Sequence, residues 1–234
     1  MKRAAGIVAS AAVLLCAVWT QAHAAPAAKA ADWGKLTAEA VATLKLQGDV
    51  ERGREAYRQC RGCHRADGMG RIDGTYPKLA GQHASVIIKQ VTDVRSGLRL
   101  NPKMVPFAEH DALTLQELRD IAEFLQQLEP LRENGKGPGQ NVDRGKAVYE
   151  GKKCDKCHGR NGEGDEARFY PVVAAQHYDY LEREMRLIKK RRRGNSHPDM
   201  VKVIKPLSDD DLEAVADYLS RLPDWRTASK KEAK

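Results

Sequence analysis

Apolar residues recur at helical spacing towards the end of each half of the chain. Leu115, Leu118, Ile121, Ala122, Leu125 and Leu128 keep one face apolar. Thr114, with Glu117 three residues later, forms a capping box at the start of that run. Leu212, Val215, Ala216, Leu219 and Leu222 repeat the pattern, with Ser208 as the cap. Middle helices are predicted at about 84–96 and 178–193, and another at 36–46. No convincing run of strands is present, so the predicted fold class is all-α. The only other long apolar stretch, 6–18, follows Lys2 and Arg3 and precedes Ala22-His23-Ala24. That arrangement reads as a secretory signal peptide over 1–24, too short to span a bilayer and removed on export. No later segment is apolar enough to cross a membrane.

The two halves repeat one another. Gly53-Arg54-Glu55-Ala56-Tyr57 has its counterpart in Gly145-Lys146-Ala147-Val148-Tyr149. Tyr76-Pro77 followed by Ala80-Gly81-Gln82-His83 recurs as Tyr170-Pro171 followed by Ala174-Ala175-Gln176-His177, at an offset of 94 residues. Two units of this size are a duplication rather than a solenoid. The expected layout is an extension at 25–47, a first domain at 48–129, a Gly-rich linker at 130–142, a second domain at 143–225 and a disordered tail at 226–234.

The chemistry sits in the repeat. Cys60-Arg61-Gly62-Cys63-His64 and Cys154-Asp155-Lys156-Cys157-His158 lie at that same offset. Two cysteines two residues apart, followed at once by histidine, form the attachment signature of c-type haem. The thiols add across the vinyl groups, and the histidine is held beneath the iron. A zinc site or a redox dithiol is the competing reading of a bare CxxC, and the terminal histidine, present twice, disfavours both. Of five cysteines, the fifth, Cys16, falls in the leader, so no structural disulfide is available. Only 6% of residues are aromatic, and each half is small. Two covalently bound haem c groups would supply core area that the side chains lack.

Each iron then has one open axial position. Met104 and Met200 stand just upstream of the closing helices, in segments whose prolines (Pro102, Pro106, Pro198) disfavour a regular helix and suggest a loop. A thioether there would raise the reduction potential relative to a second imidazole. Met69 is too near His64 in sequence to reach the opposite face easily, and Met185 reads as core. His110 and His197 are the imidazole competitors. His83 and His177 read as helix-start or haem-environment residues.

These residues together resemble the periplasmic diheme class I cytochromes c, most of all the cytochrome c-four type, from about Gly48 to Leu222. The resemblance implies two cytochrome c domains related by a pseudo-two-fold axis, with haem propionates facing each other across the interface. It implies that Cys60 and Cys63 carry one haem, with His64 and Met104 as axial ligands to its iron. Cys154 and Cys157 carry the other, with His158 and Met200. It also implies a periplasmic electron carrier between a quinol-oxidising complex and a terminal oxidase or reductase. Alternatives are a diheme enzyme, such as a peroxidase or a thiosulfate-oxidising cytochrome, and the cytochrome subunit of a flavin-containing sulfide dehydrogenase. Two features depart from the pattern: the long extension and the basic run Lys189-Lys190-Arg191-Arg192-Arg193.

Charge bears on the partner. Residues 25–135 hold 16 Lys and Arg against 15 Asp and Glu, a net of +1, whereas 136–234 hold 22 against 17, a net of +5. The excess suggests redox partner proteins with an acidic surface, docking near the second haem. An anionic membrane surface is a further counterpart for the basic run. Nucleic acid is excluded as a partner for an exported haem protein.

Overall fold

The computed structural model describes residues 36–129, 133–224 and 226. The predicted leader, the first part of the extension, residues 130–132 of the linker and most of the predicted tail lie outside the described residues. The first unit contains α1 (Ala38–Leu44), α2 (Val50–Ala56), α3 (Arg61–His64), α4 (Ala84–Arg95), α5 (Val105–Ala108) and α6 (Leu115–Gln127). The second contains α7 (Val142–Gly151), α8 (Asp155–His158), α9 (Tyr178–Lys189), α10 (Pro198–Ile204) and α11 (Asp209–Arg221). Among the described residues there is no strand, only one isolated bridge between Asp165 and Tyr170.

The closing helices α6 and α11 start as the sequence predicts. Thr114 Oγ1 accepts from the Glu117 N–H while the Glu117 carboxylate accepts from the Thr114 N–H, and Ser208 and Asp211 do the same. Each closing helix crosses the helix before the CxxCH motif at a glycine. A Cβ on Gly53 would fall 2.0 Å from the Asp120 carbonyl oxygen, and one on Gly145 2.0 Å from that of Ala214. The close crossing brings Tyr57 against Phe124 and Tyr149 against Tyr218, with ring centroids 5.5 and 5.7 Å apart. The buried Tyr57 and Tyr149 hydroxyls then donate to the carbonyls of Arg65 and Gly159, the residues directly after each motif's histidine, at 3.1 and 2.7 Å.

Three expectations change. The extension helix is shorter than predicted and packs into the first core: Ala40 is buried with Ile87, Ile88 and Leu118. The second middle helix ends at Lys189, because Arg191 turns into a left-handed conformation (φ 53°) and the amides of Arg192 and Arg193 fold back onto the Leu187 carbonyl. Met200 does not sit in a loop, whereas Met104 lies in the turn that leads into α5. Met104 caps α5 and Met200 lies within α10, because Pro106 and Pro198 occupy first-turn positions, where a missing N–H removes no helical bond.

The turn after Lys189 also divides the basic run. Arg193 bends into the joint between the units and pairs with Glu184 at 3.2 Å, and Lys189 pairs with Asp209 at 2.8 Å. Lys190, Arg191 and Arg192 remain exposed. Glu184 also takes Arg99 of the first unit, at 3.2 Å. Asn195 reaches Asp93 and Gln90 of the first unit at 2.8 and 3.0 Å. Lys78 and Asp224 form a buried ion pair across the same joint, at 3.3 Å.

Candidate haem sites

His64 and His158 close the short helices α3 and α8, and both rings are buried. His64 Nδ1 lies 3.3 Å from the Pro77 carbonyl oxygen, and His158 Nδ1 lies 3.1 Å from that of Pro171. A carbonyl only accepts, so each Nδ1 carries the proton and each Nε2 keeps a lone pair. Burial holds both imidazoles below the ordinary histidine range, against the opposing effect of those carbonyls. A neutral ring with a free Nε2 is the form that binds iron. The loop that brings each proline back is pinned by Gly70 and Gly164. Their amides donate to the His64 and His158 carbonyls at 3.0 and 2.8 Å, and both have positive φ.

The cysteines are half-buried and unbridged. Burial first, and the neighbouring Cys63 second, push the Cys60 thiol up to about 11. Burial and then Asp155 push Cys154 up to about 11. A redox dithiol works through a lowered thiol pKa, and burial acts in the opposite direction at Cys60 and Cys154. Among the described residues no three His, Cys, Asp or Glu side chains converge on one point, the minimum that a zinc ion uses. Haem c, which takes two sulfurs covalently and one imidazole, fits the donors present. Tyr76 adds an edge-on contact to His64, with ring centroids 5.9 Å apart.

The two predicted methionines are both half-buried immediately ahead of the closing helices, and Met200 packs against the second core. Their competitors are engaged elsewhere. Met69 and Met185 are buried, Met185 within the second core. His110 Nε2 pairs with Glu39 at 2.8 Å, and the His197 ring caps α10 by accepting from the Asp199 N–H at 3.1 Å.

His83 and His177 do start helices, α4 and α9. Their rings also reach across the joint. His83 Nε2 meets the Glu163 carbonyl at 2.8 Å, and His177 Nε2 meets that of Met69 at 2.6 Å. The adjacent glutamines form matching brackets. Gln82 accepts from the Val172 N–H and donates to the Val172 carbonyl, at 2.9 and 3.0 Å. Gln176 does the same to Lys78, at 2.9 Å both ways. Equivalent residues thus exchange equivalent bonds, as an approximate two-fold axis requires. The recurring Gln-His pair was the signal for this joint. Its role could not be read from one chain's spacing.

The cytochrome c family model matches residues 50–129 and 142–223. The thiosulfate dehydrogenase electron acceptor of Stutzerimonas stutzeri is 31% identical over 205 residues, covering 80% of this chain and 94% of that protein. Cytochrome c4 of Azotobacter vinelandii is 28% identical, covering 75% of this chain and 90% of its own length. The crystal structure of reduced recombinant cytochrome c4 from Pseudomonas stutzeri superposes with a TM-score of 0.69 at 27% identity, covering 76% of this chain and all of that one. With two attachment motifs on two such domains, the chain belongs to the cytochrome c family, as a diheme electron-transfer protein of the cytochrome c4 kind with two covalently bound haem c groups.

Proposed function

We propose that each iron is held between the histidine of its motif and the methionine ahead of its closing helix: His64 with Met104, and His158 with Met200. Cys60, Cys63, Cys154 and Cys157 anchor the two rings covalently, and the redox units are 48–129 and 143–225, joined by 130–142. The observation that carries this reading is the buried imidazole whose Nδ1 faces a proline carbonyl in both units. Haem c supplies reversible one-electron exchange. The protein's part is to fix both axial donors and to keep substrates from the metal, since a thioether opposite imidazole favours the ferrous state and fills the coordination sphere. The red absorption band of Met-ligated ferric haem should be lost in two steps, one in Met104→Ala and the other in Met200→Ala. A variant that keeps the full band refutes its assignment.

The proposed setting is the periplasm, with a quinol-oxidising complex as donor and a terminal oxidase or reductase as acceptor. Among the described residues no helix is long and apolar enough to cross a membrane. Lys152, Lys153 and Lys156 are exposed beside Cys154, and Lys190, Arg191 and Arg192 are exposed on the same unit. They favour an acidic partner docking on the second unit, so the electron-transfer rate should fall as salt rises. Binding to anionic vesicles rather than to protein would reassign these cations to a membrane surface. The 31% identity to a protein named as an electron acceptor of thiosulfate dehydrogenase favours a second donor, a thiosulfate-oxidising enzyme. Stopped-flow reduction of the purified protein by each donor separates the two.

A further inference from the structure

The bond that orients each proximal histidine ends on a peptide group held by the other domain. In the first unit, His64 Nδ1–H points at the Pro77 carbonyl at 3.3 Å. That carbonyl and the Lys78 N–H belong to one peptide unit. The Lys78 N–H donates to Gln176 Oε1, 2.9 Å away in the second unit. In the second unit, His158 Nδ1–H points at the Pro171 carbonyl at 3.1 Å, and the N–H of the same peptide, at Val172, donates to Gln82 Oε1 at 2.9 Å. Neither glutamine can turn its amide over. Each Oε1 also accepts from the following histidine N–H, at 3.1 Å for His83 and 3.0 Å for His177, and each Nε2 donates to a carbonyl across the joint. Gln82 is half-buried and Gln176 is buried.

We propose that Gln82 and Gln176 are positioning residues that tune the reduction potential of the haem in the opposite domain. Hydrogen bonds through one peptide polarise each other, so an acceptor on its N–H makes its C=O a stronger acceptor. A stronger carbonyl draws the Nδ1 proton and makes the imidazole a more basic donor towards the metal. A more basic imidazole stabilises ferric iron and lowers the potential. Removing the glutamine oxygen reverses each step and raises the potential of the partner domain's haem, leaving its own domain's haem in place. The duplication thus crosses the two sites: each domain carries the tuning group of the other.

The inference rests on His64 and His158 as axial ligands, and the test keeps the two apart. Redox titration of the purified diheme protein is compared for Gln176→Met, Gln82→Met and Gln176→Glu, with the couples assigned by repeating it on a Met104→Ala background. Gln176→Met should raise the first-domain couple by about threefold in electron affinity, about 28 mV at 59 mV per tenfold for one electron. Gln82→Met should raise the second-domain couple instead. Gln176→Glu retains an oxygen for the Lys78 N–H and should leave the first-domain couple at or below its original value. If Gln176→Met does not assemble, the glutamate variant and the mirror-image Gln82→Met carry the test. A shift in the substituted domain, an equal shift of both couples, or no shift in a protein whose red band is intact overturns the proposal. A merely structural role would loosen the joint and move both couples together. Absence of the red band from the unaltered protein would instead count against the ligand assignment.

Discussion

The helix crossings at Gly53 and Gly145 make a sharp prediction, because one helix supplies both the test and its control. In α7, a Cβ at Gly145 would lie 2.0 Å from the Ala214 carbonyl oxygen, 2.6 Å from its carbon and 2.8 Å from Tyr218 Cβ. Gly151, at the end of the same helix, has nothing within 4 Å. Alanine in a helix interior is favoured over glycine by about 1 kcal/mol, and Gly151→Ala should keep part of that gain. At Gly145 the obstructing atoms are backbone, so the helices must separate by roughly 1.5 Å to restore ordinary contact. Overpacking of that kind costs about 1–3 kcal/mol. Separation also weakens the Tyr149–Tyr218 pair, a contact of about 0.5–1.5 kcal/mol. Gly145→Ala should therefore be destabilised by about 2 kcal/mol net, lowering the melting temperature of the second unit by roughly 10 °C at about 4–8 °C per kcal/mol. Far-ultraviolet circular dichroism of the haem-loaded protein during heating reads both variants. A Gly145→Ala protein as stable as Gly151→Ala would show that the crossing is not held by the close approach.

Acid should open the joint between the units. At Glu184, burial works to raise the carboxyl pKa, but Arg193, Arg99 and Arg183 outweigh it, and the net position is below the ordinary 4.5. Such a group stabilises the joint above 4.5, and that contribution is lost as pH falls through the lower folded value. Burial, opposed by the Met69 carbonyl, holds His177 below its ordinary 6.5, with Nδ1 accepting from the Gly135 N–H at 2.9 Å, so its contribution is full above 6.5 and declines below it. Small-angle scattering from pH 7 to pH 3.5 should show the units separating before they unfold; an unchanged radius would refute this. Tyr149→Phe removes the shorter of two bonds to the Gly159 carbonyl, which keeps the Gly162 N–H at 3.3 Å, and should cost about 1 kcal/mol in urea unfolding, whereas an unshifted midpoint would mean water replaces the hydroxyl. Thr114→Ala removes one half of a capping box and should cost about 1 kcal/mol by the same assay, confined to the first unit.

The parts of the fold legible in the sequence were those set by local rules. Both closing helices follow from periodicity and caps, and both middle helices start within a residue of where a histidine precedes the run. Local rules failed where the same local pattern has two solutions. Proline ahead of Met200 reads equally as a helix breaker or as a first-turn residue, and tertiary packing of α10 on α9 selects the second. The run Lys189–Arg193 reads as one charged surface, but a left-handed Arg191 turns Arg193 inward towards Glu184. The CxxCH motifs were legible because covalent chemistry fixes their spacing. The carbonyls of Pro77 and Pro171 were not, since a backbone acceptor has no residue-type signature.

The joint shows what duplication can and cannot keep identical. A side chain that pairs with backbone across a two-fold axis makes the same contact from either half, so it can remain the same in both halves. Gln82 and Gln176, and His83 and His177, do so. Equal charges kept at such positions repel and need a counter-charge. Arg99 and Arg193 occupy equivalent positions at the offset of 94 and share the same two partners, Gln90 and Glu184, which are themselves equivalent. Only one of those partners is a carboxylate. A second glutamine would leave two half-buried guanidiniums side by side without that carboxylate, a costly arrangement. The single glutamate balances one of them, and it stands in the second unit. Hydrogen bonding at the joint therefore obeys the two-fold axis while its charge does not, and the field at the two haem sites differs although the motifs that hold the haems are alike.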